Sequence, residues 1–258
     1  MAGGHSHPLY LDQSSPVHRL APEVKIVASV GFTVLMVLTP RTEFWAFGVY
    51  LLLLLGVAFA ARVSPWWLAT RSLIEAPFVV LAVLLPFLGS GPRVDWLGLS
   101  LSVEGLLGAW NIVAKATLGV LSSLLLAATT QMRDLVLGLD RLRCPAVVTQ
   151  IVTFMLRYAE VLAAEARRMR IARISRGDSP RFLWQARGFA VGAGALFLRA
   201  FERGERVYLA MVSRGYTGRL PALYGPGPGL AQWSAALALP VAAGLVLAVA
   251  AGRAVFMS

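Results

Sequence analysis

The chain has 258 residues, of which 57% are apolar and 14% charged, with a mean hydropathy of +0.69. A soluble domain carries about a quarter charged residues, so this balance excludes an ordinary soluble enzyme and describes a membrane protein. The formal charge of +11 is concentrated. Sixteen of the 22 arginines fall between Arg133 and Arg219, among seven acidic residues, while lysine occurs only at Lys25 and Lys115. Such a block suits an acidic protein surface or anionic lipid. Nucleic acid is the weakest partner, because the block is embedded in a polytopic chain. The single cysteine, Cys144, rules out an internal disulfide and a Cys-x-x-Cys metal knuckle.

Residues 1–22 are polar and read as a cytoplasmic tail without a cleavable signal peptide. His5 and His7 lack a third ligand nearby and read as part of a solvated tail rather than a metal site. Pro22 suits the first turn of a helix, and Glu23 favours its positive end. Five stretches are expected to span the membrane: Ile26–Thr39 with Lys25 snorkelling at its start, Phe44–Ala61, Ala76–Gly89 with Pro86 inside, Gly105–Thr130, and Ala231–Gly252. The first four make a four-helix transmembrane region over 23–130, and 231–252 is the last span. Arg71 and Glu75, four apart, are expected to pair locally. Asn111 and Lys115 share a face of the fourth span. A lysine in lipid marks either a contact at a helix interface or a pathway residue, and both readings stay open. Arg62, Arg71 and the arginine block place their loops on the cytoplasmic side, with the N-terminus inside and the C-terminus outside.

The cytoplasmic and interfacial region 131–220 is expected to hold two long helices. Val148, Ile151, Met155, Tyr158, Leu162 and Met169 recur at three and four, opposite Gln150, Arg157, Glu160, Arg167 and Arg168, after Pro145 and before Gly177. The apolar stretches Ala146–Leu156 and Gly188–Leu198 are only 11 residues each, too short to cross and suited to amphipathic helices in the interface. Asp178-Ser179-Pro180 should start the second helix, with Phe197, Phe201, Tyr208 and Met211 on its apolar face and Glu202 paired with Arg206. The Pro- and Gly-rich stretch Pro221–Gly229 cannot be helical, so 221–230 reads as a hinge into the last span.

One phrase occurs twice, 38 positions apart. Ala172-Arg-Ile-Ser175-Arg176-Gly177 and Ala210-Met-Val-Ser213-Arg214-Gly215 both fit A-x-x-S-R-G. Each should end a helix, with Gly177 and Gly215 taking the left-handed conformation. Arg176 and Arg214 then project from a last turn, where the helix dipole favours a cation, behind small residues that let the end enter a groove. Arg-Gly alone is a common helix ending. The register of Ala, Ser, Arg and Gly favours a docking pair, and if the second helix runs back along the first the two ends lie far apart, suiting a dimer with two equivalent grooves.

With these residues on the page, the chain resembles the T-components of energy-coupling factor (ECF) transporters, of the CbiQ-type cobalt branch, over essentially its whole length. The carriers are His18-Arg19-Leu20-x-Pro22-x-x-Lys25, the two Ser-Arg-Gly helix ends with Tyr216 after the second, and the layout of spans around the basic helices. The resemblance implies an all-α membrane protein of about five transmembrane helices plus long amphipathic cytoplasmic coupling helices. It implies that Ala172, Ser175, Arg176, Gly177, Ala210, Ser213, Arg214 and Gly215 dock two subunits of an ABC ATPase dimer, each arginine meeting an acidic residue. It also implies a separate substrate-binding membrane subunit, the S-component, CbiM-like, in the inner membrane. Copies in the family often read Ala-Arg-Gly, so Ser175 and Ser213 depart from the pattern.

No cofactor and no metal site is expected within the chain, since the spans lack His, Cys, Asp and Glu ligands. Neither lysine follows a glycine, so there is no phosphate-binding G-K-[ST] loop, and the chain is expected to be a non-catalytic transporter subunit whose energy comes from partners. The alternatives are a T-component for nickel or a vitamin, an enzyme acting on anionic lipid head groups, and a self-contained secondary transporter. The lipid enzyme lacks paired carboxylates or a nucleophile cluster beside the arginines. The secondary transporter would call for inverted repeats in the spans rather than a direct cytoplasmic one.

Overall fold

A computed structural model describes residues 9–88, 92–96, 99–177, 186–218 and 227–256. His5, His7, the Asp178-Ser179-Pro180 helix start and most of the 221–230 hinge lie outside them. The chain divides into two compact units, Met1–Leu142 with Pro226–Ser258, and Arg143–Gly225.

The first unit is helical: α1 (Pro22–Leu38), α2 (Phe44–Ala60), α3 (Pro65–Arg71), a 3₁₀ turn (Ser72–Glu75), α4 (Ala76–Leu88), α5 (Val103–Thr129), α6 (Met132–Arg141) and α9 (Leu230–Phe256). A short antiparallel hairpin, β1 (Arg93–Trp96) and β2 (Leu99–Ser102), joins α4 to α5 with Arg93 opposite Ser102. It sits in a loop that sequence periodicity left unassigned. Ser102 then caps α5, its hydroxyl accepting from Gly105 N–H at 3.2 Å.

The core gathers Phe32 and Met36 of α1, Tyr50 and Leu54 of α2, Leu118, Leu121 and Leu125 of α5, and Ala243 and Ala250 of α9. Tyr50 is fully buried, and its hydroxyl donates to the Ala243 carbonyl (3.3 Å) and meets Thr39 Oγ1 (2.8 Å). That satisfies a phenol which would otherwise destabilise the interior. Large apolar side chains point outward from α2 and α4, among them Leu52, Phe59, Val80 and Leu88. An outward apolar surface of this extent is a liability in water and the expected face toward lipid.

α1 runs antiparallel to α5, and the chain's two lysines bridge them. Lys25 Nζ donates to the Thr129 carbonyl (2.8 Å), the His18 carbonyl (3.2 Å) and Thr130 Oγ1 (3.3 Å). Lys115 Nζ donates to the Val37 carbonyl at 2.7 Å, and Ser29 and Ser122 meet midway at 3.0 Å. Lys25 is therefore buried against protein rather than snorkelling toward solvent, because three acceptors replace its hydration.

Among the described residues, four helical stretches are long and apolar enough to cross a membrane: Pro65–Leu88, Val103–Thr129, Ala146–Ser175 and Leu230–Arg253, with Phe44–Ala60 a shorter apolar helix. The third expected span is thus longer at its start than Ala76, because α3 and the 3₁₀ turn carry the helical path through Arg71 and Glu75. The expected Arg71–Glu75 pair does not form. Arg71 lies over the Trp67 ring at 4.6 Å, and Glu75 Oε2 is buried without a hydrogen-bond partner.

The second unit holds α7 (Ala146–Ser175) and α8 (Ala186–Val212). α7 has the length and composition of a span, where an 11-residue apolar stretch was expected, because alanine, valine and leucine continue the run past Arg157 and Glu160 to Ala164. The two helices are antiparallel. Near the start of α7, Gln150 Nε2 donates to the Gly218 carbonyl (3.1 Å) and Gln150 Oε1 accepts from the Tyr216 hydroxyl (2.7 Å). Further along, Glu165 bridges Arg168 of its own helix and Arg199 of α8. The half-buried positions of α8 include Gly192, Leu196, Ala200, Val207 and Met211, whereas Phe197, Phe201 and Tyr208, expected with Met211 on its apolar face, are exposed. The exposed Phe197 and Phe201 stack on each other. Glu202 and Arg206 do not pair with each other, whereas Glu165 pairs with both Arg168 and Arg199.

Candidate functional site

Both copies of the repeated phrase end a helix in the same geometry. Gly177 and Gly215 have φ of +83° and +85°, the left-handed region that residues with a Cβ adopt at a penalty. Gly215 N–H donates to the Val212 carbonyl and Tyr216 N–H to the Met211 carbonyl, both at 3.0 Å, which is the paired pattern of a Schellman ending. The first copy repeats it as far as it is described: Gly177 N–H donates to the Ile174 carbonyl and Arg176 N–H to Arg173, both at 3.0 Å, as Arg214 N–H does to Met211. The two serines turn back onto their own helices, Ser175 Oγ to the Ile171 carbonyl and Ser213 Oγ to Ala210, each at 3.0 Å. They are therefore occupied locally and leave the arginine as the outward polar group of each phrase.

Ala172, Ser175, Arg176, Gly177, Ala210, Ser213, Arg214 and Gly215 are all exposed, and a Cβ placed on either glycine would meet nothing within 4 Å. The structure does not bring the two phrases together. Tyr216 lies level with Gln150, and 26 residues of helix separate Gln150 from Arg176, so the two ends stand roughly 35–40 Å apart along the hairpin. Each is an accessible cation behind small residues at the negative end of a helix.

Tyr216 and Gln150 form the part of this arrangement that spacing alone did not reveal. They tie the turn after the second phrase to the first turns of α7. The signal in sequence was slight: an aromatic directly after Arg-Gly, and a glutamine on the polar face of an amphipathic helix.

Lys115 and Asn111 do not act as a pair. Lys115 is spent on the Val37 carbonyl, whereas Asn111 Oδ1 is buried with no hydrogen-bond partner. A cavity of about 130 Å³ among α1, α2, α5 and α9 is bordered by Lys25, Ser29 and Ser122, whose polar atoms already bond within the protein. Among the described residues no group of three His, Cys, Asp or Glu side chains could hold a metal ion.

Residues 13–223 match the family described as CbiQ, cobalt transport protein. The chain belongs to the CbiQ family. Two named relatives align over most of their length. The chain is 26% identical over 224 residues to the energy-coupling factor transporter transmembrane protein EcfT of Staphylococcus aureus, covering 80% of this chain and 82% of that protein. It is 29% identical over 203 residues to the cobalt transport protein CbiQ of Rhodobacter capsulatus, covering 77% and 80%. It is also 25% identical over 215 residues to a putative fused cobalt transport protein CbiMQ of Methanocorpusculum labreanum, 80% of this chain and 35% of that longer protein. A CbiQ-family chain with this run of apolar helices is a multi-pass membrane protein and the transmembrane component of an ECF transporter.

Proposed function

We propose that this CbiQ-family chain docks an ABC ATPase dimer through its two A-x-x-S-R-G helix ends, one end per subunit, and passes ATP-driven motion to a separate substrate-binding membrane subunit. The observation that carries this reading is the identity of the two ends. Each presents one exposed arginine behind a left-handed glycine, and the hairpin holds them far enough apart for two copies of one groove. A guanidinium can meet a carboxylate in such a groove with two parallel hydrogen bonds. ATP hydrolysis then belongs to the partner subunits, and this chain is a non-catalytic coupler.

The same reading divides the chain into a cytoplasmic tail (1–22), a membrane region (23–130), a coupling region (131–220), a hinge (221–230) and a last span (231–252). It places the N-terminus and the two basic helices on the cytoplasmic side, in agreement with the bias of arginine among the loops. A CbiM-like substrate-binding partner is supported by the relative whose name fuses CbiM with CbiQ. Cobalt as the cargo is supported by the family description and the Rhodobacter relative. The relative named EcfT, whose name carries no ion, favours a second reading: a T-component serving nickel or a vitamin.

The test is co-purification. The tagged chain, expressed with its ATPases, should bring them through purification in the native detergent extract. Arg176→Glu together with Arg214→Glu should release them, with each single variant retaining part. Undiminished co-purification of the double variant would remove the docking reading. Metal analysis of the membrane subunit that travels with the complex separates cobalt from nickel and from a vitamin.

A further inference from the structure

α6 is a ten-residue helix between the last membrane-length helix of the first half and α7, fastened to α1 at Gly138 and Arg141 and held again just before its start. Its entry is fixed by Lys25, which holds Thr129 and Thr130 just upstream. At its end, Arg141 Nη1 donates to Glu23 Oε1 at 2.7 Å. Glu23 is 3% exposed and its second oxygen has no partner, so compensation of that buried charge rests on Arg141. Between them, Gly138 lies so close to α1 that a Cβ there would meet Glu23 N at 2.9 Å, Ile26 Cδ1 at 3.0 Å and the Pro22 carbonyl carbon at 3.1 Å. These contacts are backbone or branched side chain, so nothing yields cheaply to a larger residue.

Beyond Arg141 the chain enters α7 after only four residues, Leu142-Arg143-Cys144-Pro145. Arg143 has φ of +62°, and Pro145 fixes its own φ, so the link is short and conformationally restricted. The other connection from the second unit to the first contains Pro221, Pro226, Pro228 and five glycines within 215–229. The covalent path between α6 and α7 is thus four residues, against seventeen between α8 and α9, and α6 packs on α1 through Gly138 and the Glu23–Arg141 pair.

We infer that α6, held to α1 by Gly138 and the Glu23–Arg141 pair, is the positioning element through which motion delivered to the α7–α8 hairpin enters the membrane-embedded helices. This rests on the docking reading of Arg176 and Arg214 and adds the route inward from them. Glu23, Gly138 and Arg141 act on transport through the helices they hold together, without touching ATPase or substrate.

The experiment uses the whole complex, reconstituted with its ATPases and substrate-binding subunit in liposomes, and reads two quantities separately: ATP hydrolysed and substrate accumulated. A four-glycine insertion after Leu142 adds slack without altering any packed side chain. The ATPases should still co-purify and hydrolyse ATP, while substrate moved per ATP falls by about fivefold or more, the lower end of usual coupling between sites. The same insertion in the 40–43 loop should leave the ratio unchanged. Gly138→Ala, which strains the contact with α1, should lower the ratio in the same direction. An unchanged ratio in the slack insertion overturns the inference, as does loss of ATPase co-purification from a chain that still elutes as a single species. Failure of the docking reading is distinct: it appears in the Arg176→Glu and Arg214→Glu variants as undiminished ATPase binding.

Discussion

Lys25 and Lys115 close opposite ends of the same antiparallel helix pair. Lys25, in the first turn of α1, donates to the carbonyl of Thr129 at the end of α5, and Lys115, within α5, donates to the carbonyl of Val37 at the end of α1. The last carbonyls of a helix have no partner within it and carry the negative end of its dipole. In an apolar surrounding water is not there to satisfy them. The chain uses arginine almost everywhere else, and reserves its two lysines for the places where a slender ammonium group must reach a backbone oxygen between packed helices.

Lys25→Met should therefore be costly. It removes three hydrogen bonds from a buried ammonium group and strands the Thr129 carbonyl. The expected loss is about 2–3 kcal/mol, which for a chain of this size lowers the apparent melting temperature in detergent by roughly 5–10 °C. Lys115→Met, with one such bond, should shift it less. Equal shifts in the two variants would contradict the assignment.

Gly177→Ala and Gly215→Ala test the helix ends apart from their charge. Neither Cβ would clash, so the effect is conformational: about 1–2 kcal/mol for holding alanine at positive φ. Each end should rearrange, weakening ATPase retention several-fold at a constant arginine count while circular dichroism of the chain stays unchanged. Gly→Asn at the same positions, better tolerated in the left-handed region, should be milder.

Tyr216→Phe should act on the second end only. Loss of the hydroxyl leaves Gln150 bonded to Gly218 alone, and the turn carrying Arg214 is freed from α7. Binding should weaken by about tenfold or less, in keeping with one hydrogen bond of about 1 kcal/mol. In the background of Arg214→Glu the same change should add little, whereas with Arg176→Glu it should add in full. Additivity in both backgrounds would show that Tyr216 supports the fold generally.

His18 makes stability depend on pH. Its imidazole meets Ser15 Oγ at 2.6 Å and the Leu11 carbonyl at 3.1 Å, an arrangement that fits the neutral ring with its proton on Nε2 and the serine hydroxyl donating to Nδ1. Burial, and then the nearby charge of Lys25, holds its pKa below the usual histidine value of 6.5, outweighing the Leu11 carbonyl and Asp12. A lowered pKa means that the folded state prefers the neutral form. The associated stability is present above pH 6.5 and is lost as the pH falls through the folded pKa. Thermal unfolding at pH 7.5 and 5.5 should show a drop on acidification that His18→Gln, which cannot titrate, reduces.

Local signals carried much of the architecture. The apolar runs located α2, α5 and α9 to within a few residues, and Gly177 and Gly215 marked the two endings, because both depend on periodicity or on one residue's backbone freedom. What sequence concealed was long-range. Glu23 and Arg141 are 118 residues apart, and Lys25 and Thr129 are 104 apart; no spacing rule links them, and each lone charge reads as solvated until packing brings its partner. Arg71 and Glu75 failed for the opposite reason: correct i,i+4 spacing was outcompeted by the face of Trp67. In α8 the spacing grouped Phe197, Phe201, Tyr208 and Met211 on one apolar face, but of these only Met211 is half-buried, on a row with Gly192, Leu196, Ala200 and Val207.

If the two arginine ends dock an ATPase dimer as proposed, their separation bears on which form of the ATPase is recognised. A single groove closing on one helix end gains one guanidinium contact, a modest attachment. Once the first end is seated, the second groove of a dimer meets its own end at an effective concentration set by a fixed helical hairpin rather than by diffusion. Retention then rises by far more than the sum of two contacts, and only if the grooves stand at the spacing that the hairpin imposes. The chain would thus select assembled, correctly spaced dimers and release lone subunits, making assembly itself a checkpoint before any ATP is spent.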